Sequence, residues 1–196
     1  MKTVAIGCIV LVVVAIGAAA LIGIAGYNRL VGLEEQTAEA WSQVENTYQR
    51  RADLIPNLVA TVKGAADFEQ ETLQNVIEAR AKIGQMNIEN APTPAQMEAF
   101  QANQDALSSA LSRLLVVVER YPDLKAVQAF RDLQVQLEGT ENRIAVERNR
   151  YNEAARGYNT ARRRFPAVVF AGLLGFNEKG YFESKPGAVE PPPVEF

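Results

Sequence analysis

The sequence contains no histidine and only one cysteine among its 196 residues. Without histidine, the chain lacks the commonest general base and the imidazole ligands of most zinc, haem and di-iron sites. A single cysteine forms neither an intrachain disulfide nor a thiolate zinc cage. The sequence also has no phosphate-binding glycine loop and no nucleophile-elbow motif. We therefore predict no catalytic residues, no metal ligands and no bound cofactor.

The chain also lacks a strong excess of charge of either sign. It has 20 Lys and Arg against 23 Asp and Glu, which gives a net charge of −3. Domains that bind nucleic acid usually have a basic patch and a high isoelectric point. We therefore expect no nucleic-acid partner.

A long apolar run is present at residues 3–26, between Lys2 and Arg29. As a helix, these residues would span roughly 36 Å, enough to cross a hydrocarbon core of about 30 Å. The alternative is a cleaved signal peptide, since residues 18–20 offer an A-x-A site. The apolar run continues past that site, so the sequence favours a transmembrane anchor at 1–26 in a single-pass membrane protein.

The flanking charges bear on orientation in the membrane. Lys2 and the α-amine lie before the run, whereas Arg29 after it is followed closely by Glu34 and Glu35. This balance favours a cytoplasmic N-terminus. The large domain is then predicted to be periplasmic or extracytoplasmic.

Small residues recur within the anchor at Ala15, Ala19 and Gly23. They share one helical stripe, along which a second membrane helix could approach closely. This pattern indicates a homo-oligomer, although alanine-rich anchors also show such stripes by chance.

Residues 27–164 are rich in helix-forming residues and have apolar residues at intervals of three and four. No segment has a credible strand pattern. The fold class is therefore all-α, with a bundle of about four long antiparallel segments at 27–178. Polar residues interrupt the apolar stripes, notably Arg51 and Glu141. We expect these two to pair and fix the helix register, or alternatively to extend into solvent at the bundle edge.

A basic segment at 143–164 has seven arginines against Glu147 and Glu153, and an apolar segment at 165–176 follows it. This combination is typical of a membrane interface, although the arginines also suit the negative end of a helix dipole. The candidates for membrane or oligomer contact here, together with the interfacial Tyr27, are Arg162, Arg163, Arg164, Phe165, Phe170, Leu173, Leu174 and Phe176. A chain turn at Gly64 would return them to the bilayer. The stripe that continues through Pro56 slightly favours the opposite case, three long legs with the segment far from the membrane.

The last part of the chain, 179–196, has no helical period and includes three consecutive prolines. We predict an extended or disordered tail. Its apolar end, Val194, Glu195 and Phe196, is a candidate partner-binding motif, or else packs back on the bundle.

Several blocks resemble the LemA family of bacterial membrane proteins. They are YNRLV at 27–31, RRADLIPNLV at 50–59, ERYPDLK at 119–125 and LEGTENRI at 137–144. The resemblance implies a single-pass protein of the bacterial inner membrane, with a helical bundle and no catalytic residues. It also implies links to envelope functions and membrane organelle formation. Some relatives are encoded near HtpX-type membrane proteases and TPM-domain proteins, which makes these proteins candidate partners.

Three functional hypotheses follow. The first is a noncatalytic scaffold that binds membrane lipids, self-associates and organises or remodels the membrane. The second is an adaptor for an envelope protease or other membrane complex, bound through the tail. The third, an enzyme that uses only carboxylates, Arg and Tyr, lacks any supporting motif.

Overall fold

The computed structural model describes residues 2–64, 69–86, 88 and 90–183. These residues form helices and connecting segments, and no strand occurs in the ranges described. The helices are α1 (Lys2–Lys63), α2 (Gln70–Gly84), α3 (Pro94–Val118), α4 (Pro122–Ala126), α5 (Gln128–Arg163) and α6 (Ala167–Phe170). The prediction of an all-α fold is confirmed.

Helix α1 joins the apolar run to the bundle without interruption. Its first part is exposed, and it is long and apolar enough to cross a membrane. Pro56 lies inside the helix, as the continuing stripe predicted, and its neighbours Ile55 and Leu58 are buried. The bundle is therefore a direct continuation of the apolar helix.

The four long helices alternate in direction. Arg80 of α2 donates a hydrogen bond from Nε to the carbonyl oxygen of Ala52 (3.0 Å), so α2 runs back along α1. Helix α5 lies antiparallel to α1, since Arg148 contacts Tyr48 whereas Gly157 lies beside Leu33. The expectation of three long legs is wrong, because α1 ends at Lys63. An apolar stripe marks the buried face of a helix but does not record where the chain reverses.

Three groups of buried side chains lie along the bundle. The distal core, between all four long helices, is largely aliphatic and includes Leu58, Val76, Leu107, Leu114 and Leu133. The aromatic core lies nearer the apolar run and includes Trp41, Tyr48, Phe100, Tyr151 and Phe182. The anchor-end core comprises Leu30, Tyr158, Ala161, Ala167, Ala171 and Phe176.

Local sequence signals fix several helix ends. Thr93 precedes Pro94 at the start of α3, and its N–H donates to Gln96 Oε1 (3.0 Å) in a capping box. The chain forms the short α4 and then leaves the helical conformation at Val127, so α5 begins at Gln128. The Val127 side chain is 41% exposed.

Candidate functional site at the anchor end of the bundle

The end of α5 and the residues after it pack against α1 where the apolar run ends. A methyl group added at Gly26 would lie 3.2 Å from Phe170 Cζ, so glycine permits this close approach. The rings of Tyr27 and Phe176 make an edge contact with centroids 5.6 Å apart. The predicted contact residues Tyr27, Phe170 and Phe176 are thus brought together on one side of α1.

A compact loop follows α5 and contains α6. The N–H of Phe176 donates to the carbonyl oxygen of Ala171 (3.0 Å), and Gly175 has a φ of +82°. Only glycine adopts that backbone angle at little cost. The turn directs Phe176 into the anchor-end core and continues the chain back along the bundle.

The outer surface of this loop is apolar. Phe165 is 82% exposed and Leu173 is 88% exposed, and the side chains of Val168, Val169 and Leu174 are also exposed. The loop therefore has two apolar faces. One packs on α1 and α5, and the other is exposed in the described part of the chain.

The three predicted arginines have different surroundings. Arg162 donates from Nε to the carbonyl oxygen of Phe176 (2.8 Å) and lies 3.9 Å from a carboxylate oxygen of Glu178. Arg163 and Arg164 are exposed. Arg162 thus supports the loop, and the other two present their charge at the surface.

After the loop, residues 177–183 form an extended strap that lies along α5 and reaches α3. Three side-chain amides each bind the N–H and C=O of one strap residue: Asn159 binds Lys179, Asn152 binds Phe182, and Gln101 binds Glu183. The six distances lie between 2.8 and 3.1 Å. An extended segment has backbone groups without secondary-structure partners, and these amides satisfy them.

Two tyrosines lie beside the amides that hold the strap. Tyr151 donates its hydroxyl to the carbonyl oxygen of Gly180 (3.0 Å), and burial raises the pKa of Tyr151 above its usual range. Burial and the nearby Glu34 carboxylate raise the pKa of Tyr158 to about 12. Lys179 Nζ lies 5.3 Å from the Tyr158 ring centre and 2.8 Å from Glu34 Oε1. The strap is thus held by polar contacts and by aromatic packing.

The strap crosses residue 178, where the sequence analysis places the end of the bundle domain. Residues 179–183 pack on the bundle, with Lys179 and Phe182 each 7% exposed. This role was not predicted, because an extended segment has no helical period. A signal was present, since the Tyr-Asn pairs at 151–152 and 158–159 are seven residues apart and share one face of α5.

The register candidates Arg51 and Glu141 lie together, farther from the anchor end of the bundle. Arg51 Nη1 donates to Glu141 Oε1 (2.6 Å) and to Ser108 Oγ (2.9 Å), and Nη2 donates to Gln104 Oε1. Arg51 is 1% exposed, whereas the Glu141 side chain is 48% exposed. The network joins α1, α3 and α5 at one level.

Arg148 extends this polar layer toward the strap. Its Nε donates to the Tyr48 hydroxyl (2.6 Å), and its guanidinium lies 4.8 Å from the ring centre of Phe182. Burial raises the pKa of Tyr48, and Arg148 opposes that effect. Arg51 also lies over the Tyr48 ring, at 5.0 Å. Both arginines therefore have structural contacts that involve the same tyrosine.

Among the described residues, the small-residue stripe Ala15, Ala19 and Gly23 does not join this site. Ala15 and Ala19 are exposed on the apolar part of α1, and a Cβ at Gly23 would meet open space. Val194, Glu195 and Phe196 lie outside the described residues. Within the described ranges, no group of three or more His, Cys, Asp or Glu side chains could hold a metal ion.

The chain is similar in sequence to several known proteins. Magnetosome protein MamQ 2 of Paramagnetospirillum magneticum is 29% identical, with 84% of this chain and 67% of the relative aligned. Magnetosome protein MamQ of Magnetospirillum gryphiswaldense is 26% identical over the same shares. Protein LemA of Metamycoplasma hominis is 23% identical, with 68% of this chain and 58% of the relative aligned. The sequence model of the LemA family matches residues 40–196, and the chain therefore belongs to the LemA family.

Proposed function

We propose that the chain is a noncatalytic, membrane-anchored helical scaffold that self-associates and organises or remodels the bacterial envelope membrane. The observation that carries this proposal is helix α1, which continues from the apolar run into the bundle without a linker. Because no flexible segment separates them, the bundle holds a fixed direction relative to the helix that would cross the bilayer. A fixed direction suits an architectural role.

Membrane location and orientation are part of this proposal. The charges around the apolar run favour a cytoplasmic N-terminus and a periplasmic or extracytoplasmic bundle at the inner membrane. Relatives named as magnetosome proteins support a role connected with membrane organisation.

Self-association would use the small-residue stripe of the anchor. Ala15 and Ala19 are exposed in the single chain, and Gly23 has open space above its Cα. Side chains this small let two membrane helices approach until their backbones are in contact. Helix α1 continues from the stripe into the bundle, so paired anchors would also align their bundles.

The full-length chain in mild detergent and in lipid vesicles tests the proposal, with light scattering for mass and electron microscopy for assembly shape. We expect a regular assembly that Ala19→Leu weakens. The matched control is Ala18→Leu, which adds the same bulk about 100° around the helix and leaves assembly intact. A wild-type chain that is monomeric in both detergent and vesicles would contradict the scaffold.

A second candidate is an adaptor that binds an HtpX-type membrane protease or a TPM-domain protein through its C-terminal residues. The observation that favours it is the strap, which fixes Glu183 beside Gln101 of α3. The residues that follow would start from a defined point on the bundle. Deleting residues 191–196 should then abolish binding to the purified partner and leave assembly unchanged. Unaltered binding would exclude this candidate.

A further inference from the structure

We infer that the exposed apolar side chains of the anchor-end loop insert into the bilayer leaflet nearest the bundle, beside α1. We call this surface the apolar foot; its members are Phe165, Val168, Val169, Leu173 and Leu174. The inference rests on the proposed membrane anchoring and names lipid as the partner of this surface.

The position of the foot along α1 places it near the surface of the bilayer. Phe170, in the same loop, contacts the position of Gly26, the last residue of the apolar run. That run is roughly 36 Å long as a helix, and the hydrocarbon core is about 30 Å thick. Gly26 therefore lies near the boundary between acyl chains and headgroups, and the loop beside it lies at the same depth.

The two faces of the loop are the second argument. Ala167, Ala171 and Phe176 point inward and are at most 6% exposed, so the loop is already fully packed on one side. Its outer face still presents five large apolar side chains. A contiguous apolar patch of this kind on a folded domain marks a contact surface.

The neighbouring charges favour lipid over a second copy of the chain as the occupant. Arg163 and Arg164 precede the foot directly and are exposed, and Arg29 is exposed on α1 at the same level. Basic side chains that flank an apolar surface match anionic headgroups above acyl chains. The foot would add volume to one leaflet only, and this asymmetry favours membrane curvature.

Tryptophan fluorescence of the full-length chain in vesicles tests this inference. Phe165→Trp and Leu173→Trp place the probe in the foot, and Val135→Trp, at a 67% exposed position on α5, is the control. The vesicles contain phosphatidylglycerol and phosphatidylcholine, with or without bromine on the upper acyl chain. The native Trp41 is 1% exposed and roughly 22 Å beyond Gly26 along α1, so it supplies a constant background.

Because interfacial segments bury their apolar face by roughly 5–10 Å, we expect bromine to reduce the added emission at 165 and 173 about twofold and to leave that at 135 unchanged. Solvent-like, unquenched emission in the foot would overturn the inference. Blue-shifted but unquenched emission would mean that another copy covers the foot, and would overturn it too. Equal quenching at 135 would have the same consequence.

Cross-linking in the same vesicles separates this inference from the proposed function. Assembly without quenching rejects the foot and leaves the scaffold standing. Quenching without assembly supports the foot and rejects the self-associating scaffold.

Discussion

At the distal end of the bundle, four helices enclose an aliphatic core, whereas at the anchor end α1 and α5 are joined by a loop and an extended strap. Helices satisfy their own backbone groups, so their packing needs only matching apolar faces. The strap cannot do this, and its backbone depends on side chains such as Asn159 and Asn152. The stability of the anchor end therefore depends more on individual polar contacts than that of the distal end does.

The distal part of the bundle and the part nearer the anchor meet at the position of Arg51 along α1. Helix α2 ends at Gly84, close to Tyr48, and α3 begins at Pro94, so neither helix extends along α1 as far as Leu30. The strap and loop fill the space that these shorter helices leave. Helices α1 and α5 therefore pack against other helices in the distal core and against the loop and strap nearer the anchor.

The largest effect on stability is expected from Arg51→Ala, which removes the hydrogen-bond network between α1, α3 and α5 at the boundary between the two parts of the bundle. The change leaves Gln104 Oε1 buried without its donor and opens space at a position that is 1% exposed. We expect a loss of about 3 kcal/mol in the free energy of unfolding, measured by denaturant titration. Glu141→Gln is the comparison variant, since it keeps an oxygen acceptor for Arg51 and removes only the charge, so it should cost less than Arg51→Ala. An unchanged melting temperature for Arg51→Ala would show that the network does not fix the register.

An intermediate effect is expected from Asn159→Ala, which acts only on the anchor end. Both backbone groups of the buried Lys179 would lose their partner, at a cost of about 2 kcal/mol. Hydrogen exchange should show faster exchange of the strap amides, with the distal core unaffected. The matched control is Gln101→Ala, where water can replace the exposed amide and the cost should be below about 0.5 kcal/mol. Equal effects of the two variants would refute the distinction between buried and exposed contacts.

The smallest effect at neutral pH is expected from Tyr158→Phe. Among the described residues, the buried Tyr158 hydroxyl has no hydrogen-bond partner, so its removal should change stability by less than about 0.5 kcal/mol.

The same tyrosine predicts sensitivity to alkali. Its pKa rises from 10.0 to about 12 on folding, so between these pH values the unfolded state loses the proton and the folded state keeps it. The free energy of unfolding is therefore unaffected by this group below pH 10 and decreases as the pH increases toward 12. The wild type should lose stability over that interval, and Tyr158→Phe should lose less. Thermal melts from pH 8 to pH 12 provide the measurement. Parallel curves for the two proteins would contradict the assignment to Tyr158.

Sequence periodicity was enough to predict the helices, because Leu30, Trp41, Val44 and Tyr48 repeat at helical intervals and are all buried. The interruption at Arg51 also pointed to its contact with Glu141. The reversal of the chain after α1 was harder to predict, since the apolar stripe continues to Val62, one residue before α1 ends. The strap was missed because its order comes from residues distant in sequence, such as Gln101 and Asn159.

The absence of a linker in α1 has a mechanical consequence. From Tyr27 to Lys63, this helix is a lever arm of about 55 Å. A rotation of roughly 10° in the tilt of the apolar run would sweep the tip of the bundle sideways by about 10 Å. Because tilt responds to bilayer thickness, a local thinning or thickening of the membrane would be amplified into a displacement at the far end of the molecule.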